Sequence, residues 1–193
     1  MKKKTFSQAE LIKYSFDLIE KEGWNSFSFN KLSKSLNAEL NLVKNLLKSK
    51  KQLLIIFSEY IDEEVMKNVD INDLKDNSVR DNLFELLMLR FEKLQPFKTS
   101  LRILLNDLKS KPGDLKKIYK KIINSLDFYM EISNSKKNFI FDFIKFNSIF
   151  LIYSLTFKTW INDESKDMSI TMAELDKWLS KAEHYSEKIS LFH

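Results

Sequence analysis

Residues 28–47 have the sequence SFNKLSKSLNAELNLVKNLL, and this stretch decides the fold. Ser28 is a typical N-cap residue, and the apolar side chains that follow it recur at helical spacing. The pattern predicts a short helix over Phe29–Leu36, a turn at residues 37–39 and a second short helix over Leu40–Leu47. Two short helices joined by such a turn form a helix-turn-helix motif, whose second helix can enter the major groove of DNA.

The second helix is predicted to have an apolar side, formed by Leu42, Val43, Leu46 and Leu47, and a polar side facing outward. Asparagine can hydrogen-bond the edge of adenine, and lysine can bond guanine or a phosphate. Residues at the starts of neighbouring helices can hold phosphates. The predicted DNA-binding residues are therefore Lys2, Lys3, Lys4, Ser28, Lys31, Asn41, Lys44, Asn45, Lys48 and Lys50. The alternative is a three-helix bundle whose lysines are simply solvated.

The distribution of charge favours a polyanionic partner. The 193 residues carry a formal net charge of +5. Residues 1–51 hold eleven Lys and five Asp or Glu, which gives +6, so the remaining residues sum to −1. A basic end attached to a neutral body suits nucleic acid or an anionic membrane surface. The bland alternative is a lysine-rich solvated surface.

The composition excludes several other classes of protein. Two Gly are too few for a β-rich fold or a Gly-rich phosphate loop, so we expect an all-α protein. Without Cys there is no disulfide framework and no thiol nucleophile, which suits the cytoplasm. His184 and His193 lack partners at metal-ligand or catalytic-triad spacing. We expect no enzymatic activity, no metal and no cofactor.

The rest of the chain is predicted to form further helices, about nine in all. Ser7-Gln-Ala-Glu10 is a capping box, and Gly23 is expected to end that first helix. Pro112-Gly113 is expected to end one helix and Asp114 to cap the next, while residues 67–78 form a linker. Thr171-x-x-Glu174 is a further capping box. The sequence shows neither a signal peptide nor a membrane-spanning stretch.

The helix predicted from residue 138 carries an aromatic ring at every position of a heptad seam. Such a face must be covered, and three occupants remain open: an intramolecular core, a helical dimer interface, or the wall of an apolar ligand pocket. The seam comprises Phe139, Phe143, Phe146, Phe150, Tyr153, Phe157 and Trp160.

The sequence resembles the TetR family of transcriptional regulators. The matching residues are Gly23-Trp24, Phe29-x-x-Leu32-Ser33, Leu42-Val43 and Lys48-Ser49-Lys50-x-x-Leu53. The resemblance implies a DNA-binding domain at residues 1–49, and a domain at residues 50–193 that binds an apolar ligand and dimerises through its last two helices. On this resemblance the ligand-binding residues are expected to be Phe84, Leu87, Met88, Phe91, Leu104, Phe128 and Phe146. The family usually ends its recognition helix with aromatic residues, where this chain has Lys44, Leu46 and Leu47.

A second resemblance concerns the end of the chain. Trp160-Ile-Asn-Asp163-Glu-Ser165, followed by Thr171, Leu175, Asp176 and Leu179, is similar to the C-terminal signature of the TetR-fold accessory proteins of ubiquinone biosynthesis. Those proteins are homodimers that bind isoprenoid lipid and do not bind DNA. From the residues alone, Asp163 and Ser165 also suit a loop that ends one helix and caps the next.

The sequence therefore predicts a TetR-like, cytoplasmic, homodimeric regulator that binds an operator in double-stranded DNA under the control of a small apolar ligand. The alternative is a lipid-binding factor of ubiquinone biosynthesis without operator binding, whose basic end contacts an anionic membrane peripherally.

Overall fold

The structure is a computed structural model that describes residues 6–109, 112–133 and 139–190, with only the backbone described at 112–117, 139–146 and 186–190. The described part is entirely helical, as the composition predicts. A 3-10 turn at Gln95–Phe97 separates the sixth and seventh helices. The helices are α1 (Gln8–Ser26), α2 (Phe29–Ser35), α3 (Leu40–Leu46), α4 (Lys50–Met66), α5 (Asp73–Asp76), α6 (Val79–Leu94), α7 (Lys98–Leu108), α8 (Pro112–Ile132), α9 (Phe139–Trp160) and α10 (Ser169–Ser190).

The chain divides into two compact units. The first comprises Met1–Glu64 and Leu94–Ile122, and the second comprises Val65–Lys93 and Ile123–His193. The predicted DNA-binding domain, residues 1–49, lies within the first unit, which also includes most of α4, the whole of α7 and the start of α8. The helix-turn-helix is therefore packed together with helices from later in the chain.

The core of the first unit is built on α1. Its N-terminal capping box forms as predicted, because Ser7 accepts the Glu10 amide and Glu10 accepts the Ser7 amide. Phe16 on α1 contacts Phe57 of α4 with ring centroids 4.1 Å apart, and Phe97 packs edge-on against both rings. This aromatic cluster fixes α1 against α4 and against the turn that precedes α7.

The core of the second unit contains the described half of the aromatic seam of α9. Phe91 on α6 stacks on Tyr153 with centroids 5.5 Å apart, and it also contacts Trp160 at 5.8 Å. Trp160 is fully buried. An intramolecular core therefore covers the seam at these positions, whereas Phe139, Phe143 and Phe146 lie outside the described side chains.

Two predicted helix boundaries were wrong, and a third was right in position only. Gly23 interrupts the helical conformation as predicted, but its φ of 81° and ψ of 161° are not those of a left-handed cap, and after this kink α1 continues to Ser26. Pro112 starts α8 instead of ending a helix, since its missing N–H costs nothing at a first helical position, and Asp114 lies inside that helix. The linker at 67–78 contains the short helix α5.

The predicted capping box at Thr171 was also wrong. Helix α10 begins at Ser169, so Thr171 lies inside the helix and does not cap it. The Thr171 hydroxyl and backbone N–H both donate to Asp163, and Glu174 accepts hydrogen bonds from Lys177 and Trp178. The carboxylate that pairs with Thr171 thus comes from the connecting loop, which a pattern within one helix does not reveal.

Candidate nucleic-acid interface

The two short helices α2 and α3 form with the boundaries that local chemistry dictates. The Ser28 hydroxyl accepts the Lys31 backbone N–H at 3.4 Å and so caps α2, as predicted. Asn37 then adopts a left-handed conformation with φ of 49°, which asparagine tolerates better than most residues. The Ala38 N–H closes the turn by donating to the carbonyl of Ser33 at 2.9 Å.

Helix α3 has one buried side and one exposed side. Val43 and Leu47, the residue just after the end of the helix, are completely buried, and they hold the helix against the rest of the first unit. Asn41, Lys44 and Asn45 are exposed. Because residues at positions i, i+3 and i+4 share a face of a helix, these three polar side chains form one continuous surface, here called the α3 face.

Leu46 was predicted to face inward, and the structure places it differently. Its side chain is 38% exposed, beside the α3 face at the last position of the helix. The buried side of α3 is centred on Val43 and Leu47, with Leu40 and Leu42 half-buried, and Leu46 lies at the edge of that side.

The basic residues predicted around α3 have different surroundings. Lys48 is exposed. The Lys31 ammonium pairs with the Glu22 carboxylate, and both side chains are partly exposed. Lys50 is turned toward the protein: its Nζ donates to the Trp24 carbonyl at 2.6 Å and lies 4.8 Å from the centre of the Trp24 ring. The predicted arm Lys2–Lys4 lies outside the described residues.

The residues predicted to bind an apolar ligand are divided between the two units. Leu87, Met88 and Phe91 are buried on α6 in the second unit, and Phe84 is half-buried on the same helix. Leu104 is buried on α7, in the first unit. Phe128 is 41% exposed on α8, and Phe146 lies outside the described side chains.

Sequence reasoning missed a buried arginine in the second unit. Arg90 is 2% exposed, and its guanidinium donates to the hydroxyls of Tyr153 and Tyr129, each at 3.3 Å. The guanidinium also lies about 6 Å from the centres of both rings, at cation–π distance. Its position within an otherwise apolar stretch of α6, next to Phe91, was the signal in the sequence.

The loop between α9 and α10 is organised by one buried carboxylate. Asp163 is 3% exposed and accepts hydrogen bonds from the backbone N–H and hydroxyl groups of both Ser165 and Thr171. Burial alone would raise the pKa of Asp163, but these four donors outweigh it and lower the pKa to about 2. The residues that resemble the ubiquinone-accessory signature are accounted for here as a helix–helix connector, as the residues alone had suggested.

The outer surface of the α9–α10 hairpin exposes two large apolar side chains. Leu151 and Ile170 are 56% and 57% exposed. A shallow groove of about 400 Å³ runs along the two helices. Its lining comprises Leu155, Lys158, Thr159, Asn162, Asp163, Ile170 and Glu174. We call this surface the hairpin face.

The part of the chain that the structure describes offers neither a cluster of metal ligands nor a membrane span. Among the described residues, no three His, Cys, Asp or Glu side chains cluster in a way that could hold a metal ion. None of the helices described has both the length and the apolar character needed to cross a membrane.

The fold is that of the TetR regulators. A TetR transcriptional regulator from Nitrosomonas europaea matches with a TM-score of 0.77 at 15% identity, over 91% of this chain and 96% of that one. The fatty acid degradation regulator FadR from Bacillus halodurans matches with a TM-score of 0.62 at 19% identity, over 92% and 96%. A TetR regulator from Rhodococcus sp. RHA1 matches with a TM-score of 0.58 at 12% identity, over 88% and 91%. No protein-family model and no curated protein matches the sequence.

Proposed function

We propose that this protein is a DNA-binding transcriptional regulator of the TetR type, which acts in the cytoplasm as a homodimer and is controlled by a small apolar ligand. The α3 face carries this proposal. A seven-residue helix that exposes two asparagines and a lysine, while its two anchoring side chains are fully buried, is suited to base contacts in a major groove.

The charge around this face supports the same function. Residues 1–51 carry a formal charge of +6, although this region makes up only about a quarter of the chain. The exposed Lys48 would contact the DNA backbone. Lys31 would do the same once its ammonium leaves the Glu22 carboxylate and binds a phosphate. Neutralising phosphates releases counterions, so the affinity should fall steeply with salt.

The hairpin face supports the proposed dimer. Leu151 and Ile170 together expose apolar surface on two long neighbouring helices. A second copy that buried this surface around a two-fold axis would complete a four-helix arrangement, with Lys158 and Glu174 at its edge. A dimer presents two α3 faces, which requires an operator with two related half-sites.

For the ligand, the proposal rests on the second unit. Its core combines Phe91, Tyr153 and Trp160 with the buried guanidinium of Arg90. An apolar molecule that entered between these rings would meet one cationic group. We place the ligand there and not around Leu104 or Phe128, the first of which is in the other unit and the second on the surface.

The experiment that tests this function is selection of duplexes from a random library with the full-length protein, followed by affinity measurements on the selected duplex. Lys44→Met and Asn45→Ala should each weaken binding about tenfold or more, since a specific base contact contributes about 1–3 kcal/mol. Lys75→Met, which removes an exposed lysine of the second unit, is the matched control and should change little.

Native mass spectrometry of the purified protein separates the two functions that the sequence leaves open. A retained isoprenoid lipid, combined with no preference for any duplex, would replace the regulator with the lipid-binding factor. A selected duplex bound by two copies of the chain would support the regulator.

A further inference from the structure

One peptide group in the first unit is held between two charged side chains. The carbonyl of Trp24 accepts the ammonium of Lys50 at 2.6 Å. The N–H of Asn25, which belongs to the same peptide group, donates to the carboxylate of Asp107 at 3.2 Å. Lys50 begins α4, and Asp107 lies near the end of α7, so two helices hold one peptide from opposite ends of its dipole.

The surroundings fix both side chains in place. The Lys50 ammonium lies 4.8 Å from the Trp24 ring centre and 5.7 Å from the Phe27 ring centre, and both rings are buried and stacked on each other. At Gly23, a Cβ would lie 3.1 Å from the Asp107 Oδ2 atom, so the backbone approaches this carboxylate more closely than a side chain would comfortably allow.

The arrangement is electrostatically favourable. The positive ammonium lies at the negative end of the peptide dipole, and the negative carboxylate lies at its positive end. A peptide group is planar and rigid, so a displacement at its oxygen is carried directly to its nitrogen. Lys50 and Asp107 are therefore mechanically connected through a peptide that both of them hold.

Helix α7 is attached to α1 along its length. Phe97, just before α7, contacts Phe16, and the Ser100 hydroxyl donates to Glu20 at 3.2 Å. In these two contacts and in the hydrogen bond between Asn25 and Asp107, the residue numbers on the α1 side and on the α7 side increase together. Helix α7 therefore runs parallel to α1. A shift of α7 along its axis would therefore pull on the peptide that precedes α2, which begins at Phe29.

We infer that Lys50, the Trp24–Asn25 peptide and Asp107 form a clasp that sets the position of α2 and α3, with Lys50 and Asp107 as positioning residues. Lys50 then acts inside the protein and does not contact phosphate, in contrast to its predicted role. This inference rests on the proposed function in one respect: the surface that the clasp positions is the α3 face, which we propose binds DNA. Movement of α4 or α7, each of which holds one side of the clasp, would reach that face through this peptide.

The first test measures the clasp without DNA. In Asp107→Ala, hydrogen exchange at the amides of residues 24–27 should accelerate about tenfold or more, while amides of α10 in the second unit stay unchanged. Asp107→Asn keeps one acceptor oxygen and should show a smaller effect. Unchanged exchange at residues 24–27 in Asp107→Ala would overturn the clasp, whatever the protein binds.

The second test uses the selected duplex and compares two neighbouring lysines. Lys48→Met removes one phosphate contact in each of the two copies, so it should reduce the steepness of the plot of log affinity against log salt by about 1.8. Lys50→Met should weaken binding about fivefold or more with the salt slope unchanged. A slope reduced as much as in Lys48→Met would show that Lys50 contacts phosphate and would overturn its positioning role.

Asp107→Ala gives the sharpest contrast in this assay. Removing a negative charge would tighten DNA binding if the residue acted only through its charge. The clasp predicts the opposite, a weakening of about fivefold or more, with partial recovery in Asp107→Asn. Tighter binding by Asp107→Ala would contradict the clasp. If no duplex is selected at all, the proposed function fails, and the exchange measurement still decides on the clasp.

Discussion

At the scale of single residues, buried polar groups define the local structure more sharply than the apolar pattern does. Asp163 is the clearest case, because four donors converge on its carboxylate and join the end of α9 to the start of α10. Met168, at the entry to α10, adopts a φ of 55°, which is uncommon for a residue with a side chain. The hydrogen bonds of Asp163 hold the loop in this conformation.

The lowered pKa of Asp163 gives a stability that depends on pH. Its pKa is about 2 in the folded protein and 3.8 in a chain without these contacts. The contribution, about 2 kcal/mol, is therefore fully present above pH 4 and is lost as the pH falls from about 4 to 2. Urea unfolding of Asp163→Asn at pH 7 should show a loss of at least this size and a weaker pH dependence between pH 4 and 2. An Asn variant as stable as the parent chain would contradict this role.

Gly23 has a conformation that only glycine adopts readily. Its φ of 81° and ψ of 161° are strained for any other residue, and Asp107 Oδ2 would lie 3.1 Å from a new Cβ. We expect Gly23→Ala to lower the free energy of unfolding by about 1–3 kcal/mol. The matched control is Gly113→Ala, at the second position of α8, which should leave stability unchanged or slightly raised. Equal effects of the two substitutions would refute the strain.

At the scale of helices, the sequence predicted which helices exist and which of their faces are buried better than it predicted where each helix begins and ends. Helix α3 was predicted as a short helix with an apolar side, and both features are present, because Val43 and Leu47 carry a periodic signal. Leu46 was predicted on the wrong side of α3, since hydrophobicity alone does not show which of the side chains of Val43, Leu46 and Leu47 fit into the core. The clasp was invisible for a different reason: Lys50 and Asp107 lie 57 positions apart in the sequence, and only packing brings them to one peptide.

The hairpin face makes a prediction at the same scale. Replacing Leu151 or Ile170 with Lys should convert the proposed dimer to a monomer, because a charge buried in an apolar interface without a partner carries a large desolvation cost. Sedimentation or light scattering at micromolar concentration measures the mass. Tyr14→Lys, an exposed aromatic residue on α1, is the control and should leave the dimer intact. A parent chain that is already monomeric would refute the dimer directly.

At the scale of the whole molecule, the all-helical fold followed from scarce Gly and from helical periodicity. The sequence predicts a domain boundary at residue 49, and this stays a prediction. The compact packing of the first unit combines the N-terminal helices with Leu94–Ile122. The pattern of one segment cannot show that α7 returns to pack on α1, because that contact depends on Phe97, Ser100 and Asp107 meeting their partners in three dimensions.

This arrangement has a functional consequence within the proposed regulator. The helices packed with the recognition motif include α7, which comes from much later in the chain. If a ligand bound near Arg90 changed the affinity for the operator, the operator would change the ligand affinity by the same factor, because coupling between two sites is reciprocal.

The central claim is that the α3 face binds a defined DNA sequence. Its most direct test is the ratio of affinities of the full-length protein for the selected duplex and for a scrambled duplex of the same composition, at physiological salt. We expect a ratio of about 1,000 or more, which is typical of specific recognition, and a ratio close to one in a variant that carries both Lys44→Met and Asn45→Ala. Equal affinity for the two duplexes, or a ratio untouched by that double substitution, would contradict it.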